Sequence, residues 1–469
     1  MDSAAGSGYG LPTMVGQTSP PREEPQLKRR IGLYAATAIT VGSIIGSGIF
    51  RSPHSVAQEL TSPAAALLAW ALGGVLSMCG SLALAEMAVT HPRTGGLYVF
   101  IRESFGDRLA FVFGWASLWV IKPTVIASIA SVFATYFCQA VGLGKGAEFF
   151  AGFFAIAFLT FVNLLGVKQG TGTQTVLTTL KVLGILALCL AAFLLPHAGA
   201  PHGQVVTEPH RGHPFLLAFA FAMIPIFFAY DGWTDSTYVG GEIVNPARNF
   251  PIAILGGTLL VVAVYLITNA AYFSVLGPAG MGTYEAVGAE TMRRILGDWG
   301  GRALAVLVAV STFGTVNASI LTGPRVTLAM AADGLFWKRA AHVNVERGTP
   351  DVALVIQGVL ATLWLWFSGG FEDASGWFVT TSWLFYGLTV AAVFRYRKRE
   401  REGSIEPPSY RTPLFPVTPL LFILVVVAIV VSDLSSSGWR AAAGVVVAAL
   451  GFPFSYLWTR RGRGSAATG

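Results

Sequence analysis

The chain has 469 residues, of which 54% are hydrophobic and 12% are charged. Soluble domains carry about 25% charged residues, so we expect much of this protein's surface to face lipid. The net charge of +7 does not indicate nucleic-acid binding, because the basic residues form short clusters between apolar runs, as at 28–30 and 395–401. Such clusters are typical of membrane anchors.

Residues 1–27 are rich in Gly, Ser and Pro, and this composition predicts a disordered tail. The three cysteines, Cys79, Cys138 and Cys189, lie within or beside apolar runs and have no CxxC partner. We therefore expect them to be free, buried thiols.

A helix needs about 20 mostly apolar residues to cross a bilayer, and the chain contains about twelve such runs. We predict spans over residues 31–56, 64–89, 109–136, 149–165, 175–195, 215–239, 252–276, 303–332, 352–367, 377–396, 414–431 and 441–458.

An even number of spans places both termini on one side of the membrane. Cytoplasmic termini would put about 21 Lys and Arg residues on inner segments and about 6 on outer ones, which satisfies the positive-inside rule. We expect both termini to be cytoplasmic, in the plasma (cell inner) membrane.

The first span reads VGSIIGSGIF over residues 41–50. Each glycine costs a helix about 1 kcal/mol relative to alanine, and unwound backbone in a membrane must line a cavity or be buried in protein. Free N–H groups and the dipole of the following half-helix would then favour a carboxylate. The alternative is close helix packing through Gly42 and Gly46.

The sixth span reads FFAYDGWTDS over residues 227–236. A charged Asp231 in mid-membrane costs about 2.5–3.5 kcal/mol, so we expect it to face a polar cavity or a partner. Carbonyls at the end of the first half-helix would favour an ammonium group. The two breaks together suit the two ends of an amino acid. Because the break recurs after five spans, an odd number, the two breaks also suggest an inverted repeat.

An ordered series of motifs resembles the amino acid–polyamine–organocation superfamily, and within it the L-type amino acid transporter family, from residue 28 to 458. The motifs are GSIIGSGIF at 42–50, Glu86, KP at 122–123, FAYDGW at 228–233, Glu242, NPARNFP at 245–251, STFGTVN at 311–317 and Arg325.

The resemblance implies an all-α membrane protein with a leucine-transporter-like fold. One transporter domain would cover residues 28–459, before a cytoplasmic tail at 460–469. Two inverted five-helix repeats with discontinuous helices 1 and 6 would occupy about 31–196 and 215–396, and two extra helices would occupy about 413–459.

The resemblance also implies how substrate is held. The carboxylate would meet the backbone of Ser47 and Gly48, and carbonyls in both breaks would meet the amino group. Phe228 would form the outer lid. The implied substrate-binding residues are Ser43, Ile44, Gly46, Ser47, Gly48, Phe228, Ala229, Asp231, Gly232 and Thr234.

Lys181 in the fifth span is placed by the resemblance beside the first unwound segment, where sodium-coupled relatives of the fold hold a cation. Its ammonium would replace sodium, so we expect sodium-independent transport. The alternative is a lysine that snorkels to the interface. The hydroxyls of Ser311 and Thr312 also leave a sodium site open.

Asp231 departs from the small residue found in many family members. It would either accept basic side chains or couple transport to protons. Glu242 and Arg325, with Glu86 and Lys122, would form an inner gate of ion pairs, unless they only anchor the helices at the interface.

The resemblance favours an exchanger of small or large neutral amino acids, and of cationic ones if Asp231 accepts them. The alternative is a proton-coupled symporter or a uniporter of the same fold. No HExxH or GxSxG motif indicates an enzyme.

The expected partners are the amino acid substrate and the lipid bilayer, with no nucleic acid. Animal members of the family join a heavy chain through a cysteine after the third span. Here Cys138 lies too close to the helix end and 139–146 contains none, so we expect no covalent heavy chain, as in a stand-alone bacterial permease.

No cofactor and no metal site are expected, because the histidines of the loop between spans five and six have no fixed geometry.

Overall fold

The computed structural model describes residues 27–196, 214–368, 371–436, 439–456 and 458. The tails predicted at 1–27 (apart from Leu27) and 460–469 lie outside the described residues, as do the histidines of the loop after the fifth span. Every regular element in the described part is a helix, and the only strand-like pairings there are the isolated bridges Ile31–Ile243 and Asn344–Thr349.

The described helices follow one another with short connections. In chain order they are α1 (Leu33–Ile44), α2 (Gly48–Glu59), α3 (Pro63–Thr90), α4 (Leu97–Phe105), α5 (Asp107–Ala116), α6 (Lys122–Val141), α7 (Glu148–Leu165), α8 (Val167–Leu194), α9 (Phe215–Ala229), α10 (Asp235–Tyr238), α11 (Pro246–Pro251), α12 (Gly257–Thr283), α13 (Val287–Leu296), α14 (Asp298–Thr322), α15 (Pro324–Ala332), α16 (Asp351–Phe367), α17 (Phe371–Arg401), α18 (Val417–Ser436) and α19 (Trp439–Ala449). Single π-helical segments join α5 to α6 (Ser117–Ile121) and α11 to α12 (Ile252–Gly256).

These helices form the predicted number of membrane spans. Eight helical stretches in the described residues are long and apolar enough to cross a bilayer. Four shorter apolar helices bring the total to twelve. The all-α fold with twelve spans is therefore confirmed. We call the side of the membrane on which residues 27–32 lie the inner side.

Both predicted helix breaks are present. In span one, α1 ends at Ile44 and α2 begins at Gly48. In span six, α9 ends at Ala229 and α10 begins at Asp235. Between them Gly232 has φ +113°, a conformation that glycine adopts without steric cost. The discontinuous helices 1 and 6 are therefore confirmed.

Helix packing through a small residue is also present, one turn before the break. A Cβ on Gly42 would lie 2.1 Å from Gln174 Nε2 and 2.2 Å from Thr178 Oγ1. This glycine lets α1 approach α8 closely, while the break follows it. The two interpretations of the glycine-rich segment therefore apply to different residues.

The fifth span begins at Val167, earlier than the predicted 175, because its first turns are polar. Two of these polar residues, Thr171 and Gln174, are buried. A scan for apolar residues misses such a segment, since its side chains face protein rather than lipid.

The broken spans lie at the centre of the bundle. α1 packs against α8, α12 and α14, and α10 contacts α1 and α14. At the periphery, α7 exposes Phe150, Phe154 and Phe158, whose i, i+4 spacing forms a face suited to lipid.

A short helix occurs at the corresponding place in each half of the chain: α4 follows span two and α13 follows span seven. This order agrees with a duplicated arrangement. The inverted relation of the two halves and their bounds stay predictions.

Candidate functional site

A central cavity of about 50 Å³ lies between the two helix breaks. Eight of the ten residues proposed for substrate binding line it: Ser43, Ile44, Gly46, Ser47, Gly48, Phe228, Asp231 and Gly232. The remaining lining residues come from the third, sixth, eighth and tenth spans: Ile121, Lys122, Val125, Ile129, Asp235, Tyr238, Thr315, Ser319, Phe378 and Tyr386.

The first break presents backbone donors to this cavity. The N–H groups of residues 46–49 donate to no backbone carbonyl within the described chain. They precede or begin α2, whose N-terminus carries a partial positive charge. The hydroxyl of Ser43, a buried residue of the cavity lining, also has no hydrogen-bond partner. This side of the cavity therefore suits an anion.

The second break presents an acidic group. Asp231 lines the cavity, and its Oδ1 is buried without a hydrogen-bond partner in the structure. The ring of Tyr386, from the tenth span, lines the same cavity. A buried, unpartnered carboxylate oxygen is costly, and an ammonium group in the cavity would relieve that cost.

The two breaks touch through their backbones. A Cβ on Gly232 would lie 2.7 Å from the carbonyl carbon of Ser43 and 2.8 Å from the nitrogen of Ile44. The hydroxyl of Tyr265 lies 3.0 Å from Ile44 O and 2.9 Å from Ala229 O. The tyrosine hydroxyl therefore lies between the last carbonyls of α1 and α9 and donates its one proton to either of them.

Two of the proposed binding residues do not line the cavity. Ala229 packs against Gly48, where an added Cβ would lie 2.6 Å from Ala229 Cα. Thr234 is buried, and its carbonyl accepts a hydrogen bond from Thr237 Oγ1 at 2.6 Å. In this conformation both residues support the breaks from behind.

Lys181 binds the end of α1 directly. Its Nζ donates to Gly42 O at 2.9 Å, to Ile45 O at 2.6 Å and to Thr315 Oγ1 at 3.0 Å. The side chain is 0% exposed, so the snorkelling alternative is wrong.

The two hydroxyls considered for sodium differ in what they contact. Thr312 bonds within its own helix, to Val308 O at 2.7 Å, whereas Ser311 Oγ lies 3.4 Å from Ile45 O. Thr315, which sequence reasoning missed, contacts Gly42 O and Ile45 O at 3.1 and 3.0 Å.

A buried ion pair lies immediately on the inner side of Asp231. Lys122 Nζ is 2.9 Å from Asp235 Oδ1 and lies 4.4 Å from the centroid of the Tyr238 ring. All three residues line the cavity. The two opposite charges of this pair add no net charge to the cavity.

The residues proposed for the inner gate form defined ion pairs. Arg325 contacts Glu242 with two nitrogens, at 2.8 and 3.1 Å, and both side chains are 1% exposed. Glu86 pairs with Arg397 at 2.7 Å. Glu242 follows α10 in the chain and its carbonyl accepts N–H groups from residues 30 and 31. The bidentate pair of Arg325 and Glu242 therefore links spans six and eight on the inner side of the bundle.

We expect Arg325→Met to lower the free energy of unfolding by about 3–5 kcal/mol, because it leaves the Glu242 carboxylate buried without its partner. Adding Glu242→Gln should restore much of the loss. Thermal unfolding of the purified single and double variants measures both effects. The exposed pair Lys398–Glu402, at 3.8 Å, supplies the control, since Glu402→Gln should change stability by about 0–1 kcal/mol. Equal effects from the two pairs would contradict a buried gate.

Several contributors to the site carry no local sequence signal. They lie in apolar or polar segments without a recognisable motif, and only the packing of the helices brings them to the breaks. These residues are Tyr265, Thr315, Tyr386 and Asp235. Asp235 stands four residues after Asp231 in the sequence, and a second acidic residue so close to the break is a signal that could have been used.

Comparisons with known proteins agree over nearly the whole chain. A family model described as "Amino acid permease" matches residues 31–450. The serine/threonine exchanger SteT of Bacillus subtilis is 31% identical over 442 residues, covering 94% of this chain and 99% of that protein. The b(0,+)-type amino acid transporter 1 of Homo sapiens is 31% identical over 449 residues, covering 93% and 90%. Large neutral amino acids transporter small subunit 2 of Mus musculus is 34% identical over 415 residues, covering 84% and 75%.

Proposed function

The chain belongs to the amino acid permease family of membrane transporters, and from that membership we propose that it is a sodium-independent amino acid exchanger that works by alternating access. The observation that carries the proposal is the central cavity. Among the described residues, the N–H groups at one break donate to no backbone carbonyl, and a carboxylate oxygen at the other break has no hydrogen-bond partner. The relatives named as exchanger and transporters support the same activity.

The proposed substrate lies across the cavity. Its carboxylate accepts hydrogen bonds from the N–H groups around Ser47 and Gly48, and its ammonium group lies against Asp231. Phe228, which lines the cavity, forms the lid. Ser43 Oγ is a further ligand, because its hydroxyl is buried and has no partner in the structure.

The cavity favours small substrates in this conformation. A single water needs about 10–15 Å³ of such volume, and the cavity offers about 50 Å³. Serine, threonine or alanine would displace a few waters, and larger side chains would need the helices to move. One relative is named as a serine/threonine exchanger, which supports small neutral substrates.

Counterflow tests exchange. Proteoliposomes preloaded with unlabelled serine should accumulate labelled serine rapidly, and empty ones should not, because an exchanger requires amino acid on both sides. A panel of all twenty amino acids inside the liposomes would define the substrates. Equal uptake into empty liposomes would instead identify a uniporter. Uptake driven by an imposed proton gradient would identify the proton-coupled symporter.

Asp231→Asn is expected to reduce the uptake of arginine relative to alanine by about tenfold or more, if Asp231 accepts basic side chains. The reason is that a hydrogen bond to a charged group contributes about 1.5–3 kcal/mol, and 1.4 kcal/mol is a factor of ten. Competition between labelled alanine and unlabelled arginine measures the ratio.

The same variant distinguishes the alternative role. If Asp231 couples protons, the substitution should flatten the dependence of uptake on pH and leave the arginine-to-alanine ratio unchanged. Asp298→Asn, at the start of α14, serves as a charge-matched control away from the cavity. Should neither the ratio nor the pH profile change, these two roles for Asp231 would be wrong. An equal loss of uptake for arginine and alanine would then leave its contact with the substrate's ammonium group as its role.

We further propose the plasma (cell inner) membrane, with the inner side as the cytoplasmic side and rocking of spans one, two, six and seven against the others. We also propose no enzymatic role and no covalent heavy chain. In support of the last point, Cys138 is buried in α6, and the sequence from there to α7 has no further cysteine.

A further inference from the structure

An open groove of about 630 Å³ lies on the inner side, away from the central cavity. It is lined by Lys338, Arg339, Ala341, His342, Asp351 and Val352. These residues belong to the connection between α15 and α16 and to the first turn of α16. The groove is shallow and open to its surroundings, so it could hold only one face of a ligand, and alternating access gives it no role.

The groove has two basic side chains available for a ligand. Lys338 and Arg339 are exposed and make no ion pair with any described residue. Arg339 instead lies over the Trp337 ring, at 5.8 Å from its centroid, which leaves the edge of its guanidinium free. An anion would be attracted here.

The acidic residue of the groove is already engaged. Asp351 Oδ1 accepts hydrogen bonds from His342 Nδ1 at 2.8 Å and from the N–H of Val352 at 2.9 Å. Its charge is therefore partly satisfied within the protein, and the charge left for a ligand is positive.

An exposed apolar stripe continues from the groove along α16. After Val352 it consists of Val355, Val359, Leu363 and Trp366, which are 48%, 54%, 46% and 66% exposed. Their spacing of three to four residues places them on one face. At 1.5 Å per residue the stripe runs about 20 Å from the groove, enough to accompany an acyl chain through one leaflet.

Trp337 marks the depth of the groove. It is 52% exposed and adjoins two basic residues, an arrangement typical of the membrane–water interface. A free anion would contact only the basic pair. An anionic lipid would contact both the basic pair and the apolar stripe, which like the outer face of α7 is suited to lipid.

We propose that this groove binds an anionic phospholipid, with the phosphodiester between Lys338 and Arg339 and an acyl chain along the stripe of α16. The inner leaflet supplies such lipids if the inner side is cytoplasmic, as proposed above. Each basic residue near an anionic surface contributes about 1 kcal/mol, or about fivefold in affinity.

Binding is tested by native mass spectrometry of the purified full-length protein, titrated with phosphatidylglycerol or with phosphatidylcholine of the same acyl chains. We expect phosphatidylglycerol to bind about tenfold or more tightly. The double variant Lys338→Gln/Arg339→Gln should lose this preference, and Asp351→Asn should strengthen it by removing a negative charge. Lys398→Gln/Arg401→Gln, exposed basic residues at the end of α17, is the matched control and should behave like the wild type.

Three results would overturn the proposal. The first is an unchanged preference in the groove variant, and the second is an equal loss in the control variant. The third is equally tight binding of a ligand that has no acyl chains, either glycerophosphoglycerol, which is the same headgroup, or inorganic phosphate. That result would show a free-anion site. Serine counterflow by the groove variant in phosphatidylcholine liposomes should equal that of the wild type. Normal counterflow by the groove variant would show that the variant is folded. Absence of counterflow in the wild type would contradict the proposed function and not the lipid site.

Discussion

Gly232→Ala is expected to reduce serine counterflow by more than about a hundredfold while the protein still inserts in the membrane. Gly232 has φ +113°, where a residue with a side chain is strained by about 1–3 kcal/mol. The added Cβ would also lie within 2.8 Å of backbone atoms of Ser43 and Ile44. Backbone atoms cannot rotate away as side chains do, so the two breaks would have to separate.

Separation of the breaks matters because each holds one end of the proposed substrate. The N–H groups of the first break and Asp231 of the second must be one amino acid backbone apart, and a displacement of about 1 Å can cost a factor of a hundred in a site that depends on alignment. Gly48→Ala should act similarly, since its Cβ would lie 2.6 Å from Ala229 Cα.

The measurement compares initial counterflow rates in proteoliposomes that contain equal amounts of protein. Gly256→Ala is the control, because this glycine is helical and an added Cβ meets nothing within 4 Å. It should transport at the wild-type rate. Normal transport by Gly232→Ala would mean that close contact between the breaks is not required for function.

The breaks themselves were predictable from the sequence because their signals are local. Three glycines within residues 42–48, and Asp231 next to Gly232, are each unfavourable in a continuous helix surrounded by hydrocarbon. The sequence predicts a cavity at the breaks, with close packing of small residues as the alternative for the first, and the structure has a cavity between the breaks and close packing at Gly42. The twelve spans were predictable for the same reason, since lipid selects apolar runs of a given length.

The supports of the breaks were not predictable, because they depend on contacts distant in sequence. Tyr265 lies 221 residues after Ile44, whose carbonyl it approaches. Arg325 lies 83 residues after Glu242, and each was a candidate for the gate without a known partner. Composition identifies a charge that needs a partner, and only the packed fold identifies the partner.

The second large effect is expected at Lys181, where Lys181→Met keeps most of the side-chain length and removes the ammonium. The carbonyls of Gly42 and Ile45 would lose their charged donor. Thr315 Oγ1 lies 3.1 and 3.0 Å from these two oxygens, but one hydroxyl proton can serve only one of them. An unsatisfied buried carbonyl costs about 1–3 kcal/mol, and the first break would rearrange to avoid that cost.

We therefore expect counterflow by Lys181→Met to fall by more than about tenfold, and wild-type rates to be equal in sodium and in choline. The control is Lys168→Met, an exposed lysine near the start of the same helix, which should leave transport unchanged. The sodium comparison is independent of folding, because it uses the wild-type protein alone. A large loss of wild-type flux in choline would show that a sodium ion, held by oxygens such as Ser311 Oγ and Ile45 O, acts beside the lysine rather than being replaced by it.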